Sequence, residues 1–198
     1  MKANGSHYHC IQWPRGGSKG FSPGFTLIEL MVCIAIIAIM TAVAVPAVNG
    51  YLTRHAPQYA ADELYGDIQL ARLRAARFNR RCRIQFNVPA LNRYTIQDID
   101  NNGNVIPGGP FKVGDLAKFR DNIAFSASPL GGDPAPYATL EFLSQGVVNT
   151  AVTAPAASTS IYLSNGAGDV FYQILVSLAG GSGIYRFDIN TGQWNTNQ

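Results

Sequence analysis

Gly24-Phe25-Thr26-Leu27-Ile28-Glu29-Leu30 opens a stretch that stays apolar as far as Val48, and Glu29 is the only side chain carrying a full charge within it. An ionised group inside a bilayer costs about 2.5 to 3.5 kcal/mol on insertion scales, so it points to a partner that neutralises it. The plain alternative is a charge near a helix end that snorkels to the interface. At 1.5 Å per residue the run from Phe25 to Val48 measures about 36 Å as a helix, enough to cross a hydrocarbon core of about 30 Å. Lys2, Arg15 and Lys19 precede it. Positive charge on that side places the amino terminus in the cytoplasm and the bulk of the chain beyond the inner membrane. An ordinary secretory signal keeps its apolar region ahead of the cleavage site, whereas here a basic, glycine-containing leader comes first and the apolar region would be retained. An uncleaved signal anchor is the competing reading of the same segment.

The 198 residues leave room for one globular domain once a leader and a membrane helix are set aside. The formal charge of +3 comes from the three leader cations; without them 12 basic residues face 12 acidic ones. Bulk electrostatics therefore gives no push toward nucleic acid or an anionic surface. Cys10 falls in the leader and Cys33 in the apolar run, which leaves Cys82 without an intradomain partner and reads as a small buried hydrophobe. His7 and His9 fall in the leader, so His55 alone remains beside the membrane exit, as an interfacial or helix-surface residue, with no second histidine for zinc or for general-base work.

Beyond Pro46 the spacing of Ala60, Leu64, Ile68, Ala71, Ala75 and Phe78 predicts an amphipathic helix, with Glu63, Asp67, Arg74, Arg77 and Arg81 on another face. Bends are expected near Pro46 and Pro57, which lack an amide donor. Arg72, Arg74, Arg77, Arg80, Arg81 and Arg83 form the densest charge cluster and read as a solvated face whose cations suit the helix carboxyl end, docking on acidic neighbours or on phosphate being the functional alternative. From Cys82 the period changes to two. Ile84, Phe86 and Val88, then Tyr94 and Ile96 after a Pro89-Ala90-Leu91-Asn92 break, predict a β-hairpin. Further strands are expected at 122–126, 138–142, 160–164, 170–178 and 184–189, punctuated by turn chemistry at 108–110, 129–134, 165–166 and 180–183. Ala151 to Ser160 reads as a mobile surface loop. The class is α+β: a long amino-terminal helix packed on antiparallel sheet.

Asp98-Ile99-Asp100-Asn101-Asn102-Gly103 fits the opening of a calcium loop, but Gly109 stands where the closing glutamate belongs, and a polar turn explains the same residues. The scattered carboxylates Asp115, Asp121, Asp133, Glu141, Asp169 and Asp188 have no spacing that selects an acid/base pair. Gly180-Gly181-Ser182-Gly183 lacks the lysine and context of a phosphate loop. Trp194 and Tyr185 read as packing aromatics of closing strands rather than as a recognition surface.

Lys19-Gly20-Phe21-Ser22-Pro23-Gly24-Phe25-Thr26-Leu27-Ile28-Glu29-Leu30 resembles the processing site of type IV prepilins and type II secretion pseudopilins. The resemblance implies cleavage after Gly24 by a prepilin peptidase, methylation of the new amino group of Phe25, and pairing of Glu29 with the amine of a neighbouring subunit. Pro46 then falls at the twenty-second mature position, where such helices commonly carry a proline and kink. A carboxylate and an amine meeting at low dielectric attract strongly, and either one left alone there is expensive, so the pair would set one register between packed helices. Downstream, Leu70-Ala71-Arg72, Tyr94 to Gly103, Phe142-Leu143-Ser144-Gln145-Gly146 and Tyr185 to Gly192 resemble pieces of the GspH/FimT branch of minor pilins.

What this implies is a leader at 1–24, a transmembrane helix at 25–52, its amphipathic continuation at 53–81 and a periplasmic β-rich domain at 82–198, in a single-pass inner-membrane protein. The implied role is that of a minor pseudopilin of a type II secretion system, assembling with other pseudopilins or minor pilins at a filament tip. The prepilin peptidase, the inner-membrane assembly platform and membrane lipid are its further partners; no cofactor, metal or catalysis is expected. A minor pilin of the FimT/FimU kind, acting in pilus assembly or DNA uptake, is the alternative. Nucleic acid is the weaker partner, because the tail from Tyr185 to Gln198 offers only Arg186, with Asp188 beside it. An unprocessed single-pass protein with a sensor or enzymatic domain is a third reading.

Overall fold

The computed structural model describes residues 24–131, 138–152 and 158–196. The expected leader up to residue 23, part of the 129–134 turn and half of the Ala151 to Ser160 loop lie outside the described residues. Where that last stretch is described again, Ser158 already belongs to a strand. The chain divides into two units, one up to Ala44 and one from Val45.

Helix α1 (Leu27–Phe78) begins in the first unit and continues into the second. It runs through Pro46 and Pro57, whose missing amides fall opposite the carbonyls of Ala42 and Thr53. It ends three residues short of the expected Arg81. Asn79 takes a left-handed φ of 50°, and the Arg80 N–H donates back to the Ala75 carbonyl at 3.1 Å, a pairing that closes a helix terminus. Every described residue of the first unit is solvent-exposed.

In the second unit β1 (Arg81–Phe86) pairs antiparallel with β2 (Arg93–Ile99), giving the expected hairpin with Ile84 opposite Ile96. Strand β3 (Lys112–Asp115) flanks β2, and a 3-10 turn follows it at Leu116–Lys118. The remaining strands are β4 (Ala124–Ser126), β5 (Thr139–Phe142), β6 (Ser158–Ser164), β7 (Phe171–Ser177), β8 (Ser182–Asp188) and β9 (Gln193–Thr196). They form two antiparallel sheets, ordered β3-β2-β1-β5 and β4-β6-β7-β8-β9. Strands β3 and β9 are additions to the sequence-based assignment, and Ser182 and Gly183 are strand rather than turn.

Small side chains at helical spacing let the sheets approach α1 closely. Ala60, Ala61, Leu64, Ile68, Ala71 and Ala75 are fully buried and share one core with Ile84 and Ile96 of the first sheet and Ile161, Leu163 and Ile174 of the second. Alternation on β1 sends Cys82, Ile84 and Phe86 into that core. Two members of the helix pattern depart from it: Phe78 is 48% exposed and Asp67 only 4%.

Candidate assembly site

Thr26 precedes the first helical residue and caps the helix. Its Oγ1 accepts from the Glu29 N–H at 3.2 Å, and its carbonyl accepts from the Leu30 N–H at 3.2 Å. Thr26-Leu27-Ile28-Glu29 has the spacing of a capping box, a signal that sequence reasoning passed over in favour of the charge alone. The acid therefore stands on the first turn, where the helix dipole favours negative charge. Gly24 and Phe25 lie ahead of the helix and Phe25 is 85% exposed, so the Phe25 nitrogen and the Glu29 carboxylate occupy one exposed end of the first unit.

Elsewhere the helix is tied to the sheets by ion pairs instead of presenting a solvated basic face. Arg74 makes two 2.8 Å bonds to the Asp98 carboxylate, and its guanidinium lies 4.2 Å from the centre of the Phe111 ring. Arg72 donates to the Gly146 carbonyl at 3.1 Å. Arg81 and Arg83, on β1 rather than on the helix, both reach Glu141 of β5, at 2.5 and 3.0 Å. Asn149 adds a bond to the same carboxylate at 2.7 Å. The cluster predicted to be solvated is thus largely an internal clamp; Arg77 and Arg80 remain exposed. Asp67, expected on the polar face, accepts from the Tyr94 hydroxyl at 2.6 Å and from Lys112 at 2.5 Å. Burial, with the Asp67 hydrogen bond behind it, pushes the Tyr94 phenol far above its ordinary value.

The acidic loop after β2 is a structural turn. Asp98 is engaged by Arg74, and Asp100 accepts from the backbone N–H groups of Asn104 and Asn102 at 2.8 and 2.9 Å. The Asn104 N–H above all, helped by its side chain and by Asn102, holds the Asp100 carboxyl below its ordinary range. His55 lies on the helix with Tyr51, the ring centres 4.2 Å apart. Cys82 is fully buried, and desolvation pushes its thiol up to about 12. Trp194 packs against Phe187 and Tyr162 at 5.0 and 5.7 Å between centroids, a packing role.

Comparison with known proteins places both parts. A model of the prokaryotic N-terminal methylation motif matches residues 18–45. Type IV major fimbrial protein FimA of Dichelobacter nodosus is 56% identical over 36 residues, which are 18% of this chain and 22% of that protein. The chain thus matches about a fifth of the length of this curated relative. The fold resembles that of the type IV minor pilin FimU of Pseudomonas aeruginosa, at a TM-score of 0.50 and 18% identity over 73% of this chain and 96% of that one. The minor pseudopilin EpsH from the Type 2 Secretion System of Vibrio cholerae aligns at a TM-score of 0.46 and 15% identity, over 65% and 94% of the two chains. The α1 core stripe, the Arg–Glu141 clamp and both sheets as far as β7 fall inside residues 60–180, which the type II transport protein GspH model matches. With well over half of its residues covered by that match, the chain belongs to the GspH family.

Proposed function

We propose that this chain is a minor pseudopilin of a type II protein secretion system, a structural subunit of a short periplasmic filament whose growth pushes exoproteins outward. The observation that carries this reading is the capped first turn of α1: one acid, Glu29, stands at the start of an apolar helix with no buried residue of its own up to Ala44. Such a helix is satisfied by lipid before assembly and by neighbouring helices after it. Glu29 would then neutralise the methylated amine of Phe25 on an adjacent subunit, exposed once a prepilin peptidase has cut after Gly24. The β-rich domain would face the periplasm and meet other pilin-like subunits, and the assembly platform would draw the helix from the inner membrane.

The test replaces Glu29 with alanine in the native host. Membrane fractionation should find the variant inserted as before, cross-linking should find it missing from filaments, and exoproteins should accumulate in the periplasm. If deletion of the gene spared exoprotein release and abolished twitching or transformation, the subunit would belong to a type IV pilus and the secretion role would be lost.

A further inference from the structure

Just past the apolar run the helix carries a group of side chains that neither the core nor the assembly pair uses. Asn49, Tyr51, Arg54 and His55 follow Val48 directly. Tyr51 is 56% exposed, Arg54 is exposed, and the Tyr51 and His55 rings are tilted by 40° against one another. A fifth member comes from the β domain. Arg120, 71 positions away in sequence and exposed, donates to the Asn49 side-chain oxygen at 2.9 Å. A guanidinium of the folded domain is thereby held at the helix level where hydrophobic sequence gives way to polar sequence.

No carboxylate competes for these cations along the helix, which has no Asp or Glu between Glu29 and Asp62. The acid adjoining Arg120 turns to another partner: Asp121 accepts from the Asn165 side chain at 2.9 Å. At 1.5 Å per residue, Tyr51 lies about 4.5 Å and His55 about 10 Å beyond Val48, the depth at which a bilayer passes from acyl chains to headgroups. Amphipathic aromatic rings concentrate at that level, and arginine forks match phosphate oxygens in geometry and charge.

We propose that Tyr51, Arg54, His55 and Arg120 form a collar that seats in the phospholipid headgroup layer, the rings at the interface and the two guanidiniums on lipid phosphate. This rests on the reading that residues 25–48 cross the membrane. The collar fixes how deep the subunit sits before assembly, and its release is part of extraction. Its occupant is lipid, chosen over a protein partner by its continuity with the spanning run and by the complementarity of arginine and phosphate.

The experiment uses the full chain, with Trp13→Phe and Trp194→Phe, in vesicles of phosphatidylcholine and phosphatidylglycerol carrying nitroxide-labelled lipid. A Tyr51→Trp reporter should be quenched most by the headgroup label, and an Ile36→Trp reporter most by a mid-chain label. Adding Arg54→Gln and Arg120→Gln should lower the docked-to-undocked ratio roughly thirty-fold, read as loss of headgroup quenching at position 51. If the Ile36→Trp reporter escapes the mid-chain label, the membrane-spanning reading itself fails. If it is quenched while the Tyr51→Trp reporter is not, the collar stands clear of lipid and the proposal is overturned. Headgroup quenching unchanged by the two arginine substitutions overturns the phosphate contacts.

Discussion

Glu141 has no exposed surface, yet it takes charge-assisted bonds from Arg81 and Arg83 and a further one from Asn149. Removing one side of such a cluster strands the other. Glu141→Ala should therefore destabilise the domain by about 3–5 kcal/mol, measured by urea titration of the solubilised chain. An equally large loss is not expected for Arg93→Ala, whose pair with Asp115 is substantially exposed and contributes about 0–1 kcal/mol. Cys82 gives a pH signature. Its thiol is raised from 9.0 to about 12, chiefly by desolvation, so the fold favours the protonated form. The associated stability is complete below pH 9 and is lost as pH climbs from about 9 toward 12. Stability measured across that range should fall in the parent chain, and the fall should begin later in Cys82→Ala. The raised Tyr94 phenol acts with the same sign from a higher starting pH, which leaves the variant a residual alkaline loss.

Among the elements, β3 lies against β2 with one close approach. A Cβ on Gly114 would lie 2.0 Å from the Tyr94 ring, whose hydroxyl is bonded to Asp67. Gly114→Ala must displace that ring or the strand, at a cost of about 1–3 kcal/mol. Gly66 is the opposite case, an exposed mid-helix glycine with nothing within 4 Å of an added Cβ, so Gly66→Ala should stabilise by about 0.5–1 kcal/mol. Thermal melts of the pair should move in opposite directions. The same strand shows why parts of the fold were illegible. Lys112-Val113-Gly114-Asp115 has no apolar alternation, because it is an edge strand whose inward position must be empty for a tyrosine. Gln193–Thr196 is likewise a polar edge. The β1–β2 hairpin was legible because one of its faces is core, and periodicity records exactly that contrast. Asp67 falls on the polar face by spacing and is buried in the fold, because helical spacing reports the face of a helix and not what covers it. Lys112 and Tyr94, distant in sequence, convert a surface position into a buried pair. The arginine cluster looks solvated in sequence for the same reason, since Asp98 and Glu141 reach it only through sheet pairing.

At the scale of the whole molecule, the two units pose different physical problems. The second buries its own core. The first leaves Phe25, Leu27, Ile28, Ile39 and Met40 each more than 65% exposed, apolar surface suited to lipid or to other helices. Packing between apolar helices is poorly directional, because many vertical offsets bury similar area. A single charge at a fixed place on the first turn can select one offset among them, in the way a lone polar residue sets register in a coiled coil. If selection is by charge, the acid's form should matter more than its size. Glu29→Gln keeps the shape and the capped turn but removes the charge, and Glu29→Asp keeps the charge on a shorter arm. Losing a charge-assisted bond of about 1.5–3 kcal/mol should reduce incorporation of Glu29→Gln into sheared filaments by roughly ten- to a hundred-fold, with Glu29→Asp intermediate. Immunoblots of filament and membrane fractions would read both, with membrane insertion unchanged in each. Equal incorporation of the Gln variant and the parent would show that apolar packing sets the offset unaided, and the carboxylate would then be no more than a favourable charge on the first turn of its helix.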